Sequence, residues 1–188
     1  MYQKYHTEAI VLGAIERGEA DRTVALMTRD FGLVRARASA VRSEKSKMRY
    51  ASQSYTRSVV SLVKGKRGWR MAGASATALA VSGPGLSAFA RIAELTQRLV
   101  PGEEKNEYMF EVLAEAHRVL MGAKEAIATI EIVSVARILY ALGYISAEAL
   151  KTTLFTHTQY GSDDLQEAEV LKETMLKSIN RAISETHL

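Results

Sequence analysis

The spacing of apolar positions changes once along this chain, near residue 80. Before that point the pattern is one of short strands. The apolar run Ala9-Ile10-Val11-Leu12 is followed by the turn-like Glu16-Arg17-Gly18-Glu19-Ala20-Asp21. A second β-leaning run spans residues 23–28 and is closed by Asp30-Phe31-Gly32. Residues 33–40 then alternate, with Val34, Ala36, Ala38 and Ala40 on one side and Arg35, Arg37 and Ser39 on the other. A period of two is what a half-buried strand requires, apolar side chains inward and arginines in solvent. Residues 42–49 are polar and basic and read as a loop. The β-branched run 59–63 is separated from Trp69-Arg70-Met71 by Gly65-Lys66-Arg67-Gly68, the composition of a hairpin turn. Five strands at this spacing predict a small antiparallel barrel.

Ser82-Gly83-Pro84-Gly85 punctuates the chain, and the period then moves to about 3.6. Residues 86–100 place Phe89, Ile92, Ala93, Thr96, Leu99 and Val100 on one helical face. Asn106 is positioned to cap a helix carrying Phe110, Leu113, Ala114, His117, Leu120 and Met121 at three- and four-residue steps. Residues 127–142 are apolar nearly all round apart from Glu131 and Arg137, which predicts the most buried helix, with Gly143 as its stop. A further helix is expected over 146–156. A last one is expected over 165–183, striped by Ala168, Leu171, Met175, Ile179 and Ile183. The fold class predicted is therefore α+β: a small N-terminal antiparallel barrel over residues 1–80, then an α-helical bundle over 86–188.

Composition narrows the function classes. The 188 residues are 47% hydrophobic and 24% charged, values of a folded rather than a disordered chain. No apolar run reaches the roughly 18–20 residues that span a bilayer, and the first eight residues lack the apolar core of a secretory signal. A cytoplasmic, non-membrane protein is expected. There is no cysteine, so disulfides, thiolate zinc sites, iron–sulfur clusters and cysteine nucleophiles drop out. The net charge of +4 hides an asymmetry: residues 1–80 carry 15 Lys and Arg against 6 Asp and Glu, whereas 81–188 carry 10 against 15. Such a split points to a polyanionic partner for the first half.

Catalytic signals are poor. Ser61-Leu62-Val63-Lys64 has S-x-x-K spacing, but that chemistry needs a helix, and residues three apart on a strand face opposite sides. No Walker lysine motif or G-x-G-x-x-G is present. His6, His117, His157 and His187 are scattered, His117 on an apolar stripe, so no metal site is expected. Asp163-Asp164 with Glu167 and Glu169 fits an acidic first helical turn. The positive signal is the basic set Arg35, Arg37, Arg42, Lys45, Lys47, Arg49, Lys64, Lys66, Arg67 and Arg70, drawn from successive strands and loops. In a small barrel these converge on one face and neutralise phosphates. Tyr50, Tyr55 and Trp69 are the aromatics available for base stacking, with core packing as the alternative for Trp69 and Tyr55.

Several segments, in order and at natural spacing over about residues 7–150, resemble the bacterial RecO family. They are Glu8-Ala9-Ile10-Val11-Leu12-Gly13, Gly18-Glu19-Ala20-Asp21-Arg22 and Leu26-Met27-Thr28-Arg29-Asp30-Phe31-Gly32-Leu33, then the basic Arg42-Ser43-Glu44-Lys45-Ser46-Lys47. In the second half they are Glu94-Leu95, Pro101-Gly102-Glu103-Glu104-Lys105-Asn106-Glu107-Tyr108-Met109-Phe110, and Ile138-Leu139-Tyr140-Ala141-Leu142-Gly143-Tyr144. The resemblance implies an OB-fold followed by a helical domain. It implies a recombination mediator that is not an enzyme and uses no cofactor, binds single- and double-stranded DNA, and anneals complementary strands. The partners it implies are RecR, RecA indirectly, and the acidic, apolar tail of single-strand-binding protein. Arg118 and Arg137 are the cations expected beside a groove for that tail, with an ion pair from Arg137 to Glu94 or Glu111 as the alternative.

Three departures from the family pattern stand out. Ala40 occupies a position where the family often has glycine. The four-cysteine zinc site that many members carry after the Gly-Tyr motif is missing. The stretch after Tyr144 is short for the family. Two other classes of function fit the composition: an RNA-binding OB protein, and a protein–protein adaptor whose barrel no longer binds DNA.

Overall fold

A computed structural model describes residues 3–186. Five strands, β1 (Lys4–Arg17), β2 (Asp21–Thr28), β3 (Gly32–Ala38), β4 (Arg57–Gly65) and β5 (Gly68–Ala78), form a closed barrel in the order β1-β2-β3-β5-β4, as in an OB-fold. All pairings are antiparallel except β3–β5, which is parallel and short, matching Ala36 to Trp69 and Arg37 to Arg70. Closure depends on β1. Its first half pairs with β4 and its second with β2, and the register shifts between Val11 and Gly13. A bulge of this kind bends the strand so that one ribbon serves two neighbours. Val11 there exchanges backbone hydrogen bonds with Tyr55 and Thr56, at 2.6 and 2.9 Å. The alternation read along β3 is observed directly: Val34, Ala36 and Ala38 are buried while Arg35 and Arg37 are exposed. The core gathers Val11, Val24, Leu26, Val34, Val60, Leu62, Trp69 and Met71.

Beyond the barrel come α1 (Leu86–Leu99), α2 (Glu107–Gly122), α3 (Ile127–Ala141), a single turn α4 (Ala147–Leu150) and α5 (Ser162–Glu185). The chain divides into two compact units. The first is the chain up to Val81 together with Pro101–Phe110, and the second is Ser82–Val100 with Glu111 onward. The return of Pro101–Phe110 to the barrel unit departs from a boundary at 80–86, and its cause is local. The Leu33 N–H donates to the Gly102 carbonyl (3.2 Å). At Gly32, with φ of +67°, a Cβ would overlap the Glu104 carbonyl, so only glycine admits this approach. Arg29 lies 4.5 Å over the Phe110 ring and bonds Glu8 at 2.7 Å.

In the second unit the periodicity holds. On α1 the buried residues are Ala88, Phe89, Ile92, Ala93, Thr96 and Leu99. The N-terminus of α2 is capped by Asn106, whose Oδ1 accepts the Met109 N–H (2.9 Å). His117 is buried edge-on to Phe89, 5.4 Å between centroids. Helix α3 packs against α1 and α5. It ends at Gly143 (φ +80°), where Tyr144 N–H reaches back to the Leu139 carbonyl and Gly143 N–H to Tyr140, a Schellman closure.

The expected helix over 146–156 is reduced to α4, which ends where Lys151 is left-handed (φ 50°), and Arg137 holds the chain beyond it. Its side chain is fully buried, and its guanidinium donates to the carbonyls of Leu154 (2.8 Å), Thr158 (2.7 Å) and Gln159 (3.0 Å). It also lies 4.7 Å over the Tyr160 ring. Carbonyls turned toward that cation cannot run along a helix axis, so the segment stays irregular. No helix among the described residues is long and apolar enough to cross a membrane.

Candidate nucleic-acid interface

The β3–β5 pairing sets Arg37 directly beside Arg70, and Arg35 lies two residues along the same outward face. All three are exposed. Directly paired residues point to one side of a sheet, so the row follows from register alone. Two concavities border it. One, about 380 Å³, is lined by Val63, Gly65, Lys66, Arg67, Gly68 and Arg70 at the β4–β5 hairpin. The other, about 610 Å³, is lined by Arg17, Gly18, Glu19, Ala20, Asp21, Thr23 and Arg37 at the β1–β2 turn. The two turns are the loops, and β3 is one of the two strands, with which OB-folds bind oligonucleotides. Arg17 was absent from the sequence-derived set. It follows an apolar strand and precedes the turn, so only its position at the rim marks it.

Arg37 is held in place by Asp21, whose Oδ2 accepts from the guanidinium at 2.6 Å while Oδ1 accepts the Ala40 N–H at 2.9 Å. The Ala40 bond, and then Arg37, hold the Asp21 carboxyl below its ordinary value. Ala40 itself is in the left-handed region, φ +55°, which accounts for a position where the resembling family often has glycine. Arg42 is tied to the same turn through the Gly18 carbonyl (2.8 Å) and Glu16 (3.2 Å), which leaves it half-buried. Lys45, Lys47 and Tyr50 are exposed in the irregular segment 39–56, and Arg49 is half-buried there.

Two sequence-derived assignments are corrected by burial and register. Trp69 is a core residue, 7% exposed, packed at 5.7 Å from Tyr5 and 5.5 Å from Phe31, so its faces offer no stacking platform. Neighbours on a strand point to opposite sides, and Arg70 points out. Lys64 pairs across the hairpin with Trp69 rather than with Arg70. Its ammonium sits 5.1 Å over the indole ring and bonds the Glu103 carboxylate at 2.6 Å. That lysine, then the indole N–H of Trp69 (short of hydrogen-bond geometry), keep Glu103 below its ordinary value. Lys64, 55% exposed, therefore lies off the outward row.

In the helical unit Arg137 is buried on backbone carbonyls, neither paired with Glu94 or Glu111 nor at a groove edge. Arg118 is exposed and bonds Glu115 on its own helix at 2.7 Å. The groove that does exist, about 330 Å³, lies between α1, α3 and α5. Its floor includes Leu95, Ile132, Val135 and Ile179, and Arg91 and Arg98 stand at its rim. Arg91 is bidentate to Glu131 (2.6 and 2.7 Å). No cluster of three potential metal-ligating side chains occurs among the described residues.

Residues 1–72 match the family described as Recombination protein O N terminal. The chain is 40% identical over 62 residues to the DNA repair protein RecO of Desulfitobacterium hafniense, covering 33% of this chain and 23% of that protein. It is 32% identical over 122 residues to the DNA repair protein RecO of Pelotomaculum thermopropionicum, covering 63% and 48%. To that of Dehalococcoides mccartyi it is 34% identical over 113 residues, covering 58% and 45%. The matches span less than half the length of these relatives.

Proposed function

We propose that this chain, whose residues 1–72 match the family described as Recombination protein O N terminal, acts in DNA repair and recombination by binding single- and double-stranded DNA along the β3–β5 face. The reading rests on one observation above the others: Arg35, Arg37 and Arg70 form a single outward row between the two loop concavities. Arg17, Lys66 and Arg67 extend that row at its two ends. Arginines in such a row take phosphates and read no base sequence. In this role the protein anneals complementary strands and works with RecR in loading RecA, in the bacterial cytoplasm near the nucleoid and without a cofactor.

Binding of single-strand-binding protein is assigned to the α1–α3–α5 groove rather than to Arg118 and Arg137. An acidic, apolar tail needs an apolar floor with a cation at its rim, and Arg98 is exposed there. Arg98→Glu is expected to abolish tail-peptide binding that Arg118→Glu leaves intact.

Titration of fluorescent single-stranded DNA, duplex DNA and RNA across several salt concentrations tests the main reading. Neutralising about five phosphates on a single strand gives a slope of log K against log salt near −3.5. A salt-independent affinity, or strong preference for one sequence, overturns it. Binding of RNA alone favours the RNA reading, in which 2′-hydroxyl contacts select the polymer.

A further inference from the structure

Intramolecular acids neutralise several cations of the barrel. Arg37 has Asp21 at 2.6 Å, Arg42 has Glu16 at 3.2 Å and Lys64 has Glu103 at 2.6 Å. The concavity at the β4–β5 hairpin is different. Lys66, Arg67 and Arg70 all line it, all three are exposed, and no side chain among the described residues hydrogen-bonds or pairs with any of them. No carboxylate lines it either. Its remaining walls are Val63, 7% exposed, and the two glycines that frame the turn, with open space around the position a Gly68 side chain would fill.

On the DNA-binding reading above, we propose that the concavity holds a terminal phosphate monoester of a nucleic-acid strand. Its volume of about 380 Å³ suits one nucleotide-sized group, at the small end of ligand pockets. Three uncompensated positive charges discriminate between phosphates by charge. An internal phosphodiester carries one negative charge, whereas a monoester carries about 1.5–2 at neutral pH and offers three acceptor oxygens. Arginine forks meet two of those oxygens at once, and the lysine adds a point charge. The extra charge, placed about 4 Å from one solvated cation, is worth about fivefold in affinity.

The test compares identical short oligonucleotides, internally labelled, that end in a 5′-phosphate, a 3′-phosphate or hydroxyls at both ends. Binding to the whole protein is followed by anisotropy at low salt. At least one phosphorylated strand is expected to bind about fivefold more tightly than the hydroxyl-ended one, and the 5′ and 3′ arms identify which end is held. Because the monoester gains its second proton near pH 6, the ratio is expected to shrink between pH 7.5 and 5.5. Substituting Arg67→Ala together with Arg70→Ala lowers affinity for every strand and collapses the ratio to about one, with the thermal midpoint unchanged. Arg35→Ala lowers affinity for every strand and keeps the ratio. Equal affinity for all three ends overturns the inference and leaves DNA binding standing. Failure of all three to bind overturns both.

Discussion

Replacing Arg137 by alanine tests the assignment that moves this residue from a partner site to the interior. The guanidinium is fully buried and serves three carbonyl acceptors, on Leu154, Thr158 and Gln159, at 2.7 to 3.0 Å. It also covers the face of Tyr160, whose hydroxyl shares a 2.7 Å hydrogen bond with Ser134. Truncation orphans those acceptors, and each buried acceptor left unmade costs about 1–3 kcal/mol. Removing a desolvated charge gives part of that back. Summed over the three acceptors, the balance is a loss of about 3–5 kcal/mol. For a chain of this size, about 2–4 °C of midpoint follow each kcal/mol, so a fall of about 10 °C is expected by calorimetry. Cleavage in residues 151–161 should accelerate in limited proteolysis, because the clamp that orders the segment is gone. Arg137→Lys keeps the charge without the fork and should recover less than half of the loss. An Arg137→Ala midpoint within about 2 °C of wild type would refute the reasoning.

Ala40→Gly is expected to stabilise the protein. It relieves a left-handed alanine costing about 1–2 kcal/mol against about 0.4–1 kcal/mol of added unfolded-chain entropy. A midpoint that falls would count against the backbone assignment at φ +55°. Two carboxylates are expected to make stability fall in acid. Asp21 and Glu103 have folded values held below their ordinary 3.8 and 4.5. The unfolded chain therefore takes up the protons first, and the contribution present above those values is lost as pH drops through the lower, folded ones. Urea midpoints from pH 7 to 3 check this, and Asp21→Asn should lessen the acid-dependent loss.

What could be read without coordinates was whatever repeats locally. A period of two along residues 33–38 already required Arg35 and Arg37 to leave the core, and helical stripes located α1, α2, α3 and α5 to within a few residues. Even the error over Trp69 had a local remedy. A two-residue turn between Gly65 and Gly68 implies that Lys64 faces Trp69, and alternation then separates both from Arg70. Other features had no local signature. The row of Arg37 and Arg70 exists because β3 and β5 pair in parallel across the barrel. Lys64 is withdrawn from that face by Glu103, 39 residues away. Arg137 looks like a lone cation on an apolar helix until the irregular chain at 154–159 folds its carbonyls onto it. Periodicity is set by the backbone of each element and is legible in any sequence that forms it. Pairing between distant segments is decided only when the whole core is packed, because only then is each buried charge forced to find the acceptors that compensate it.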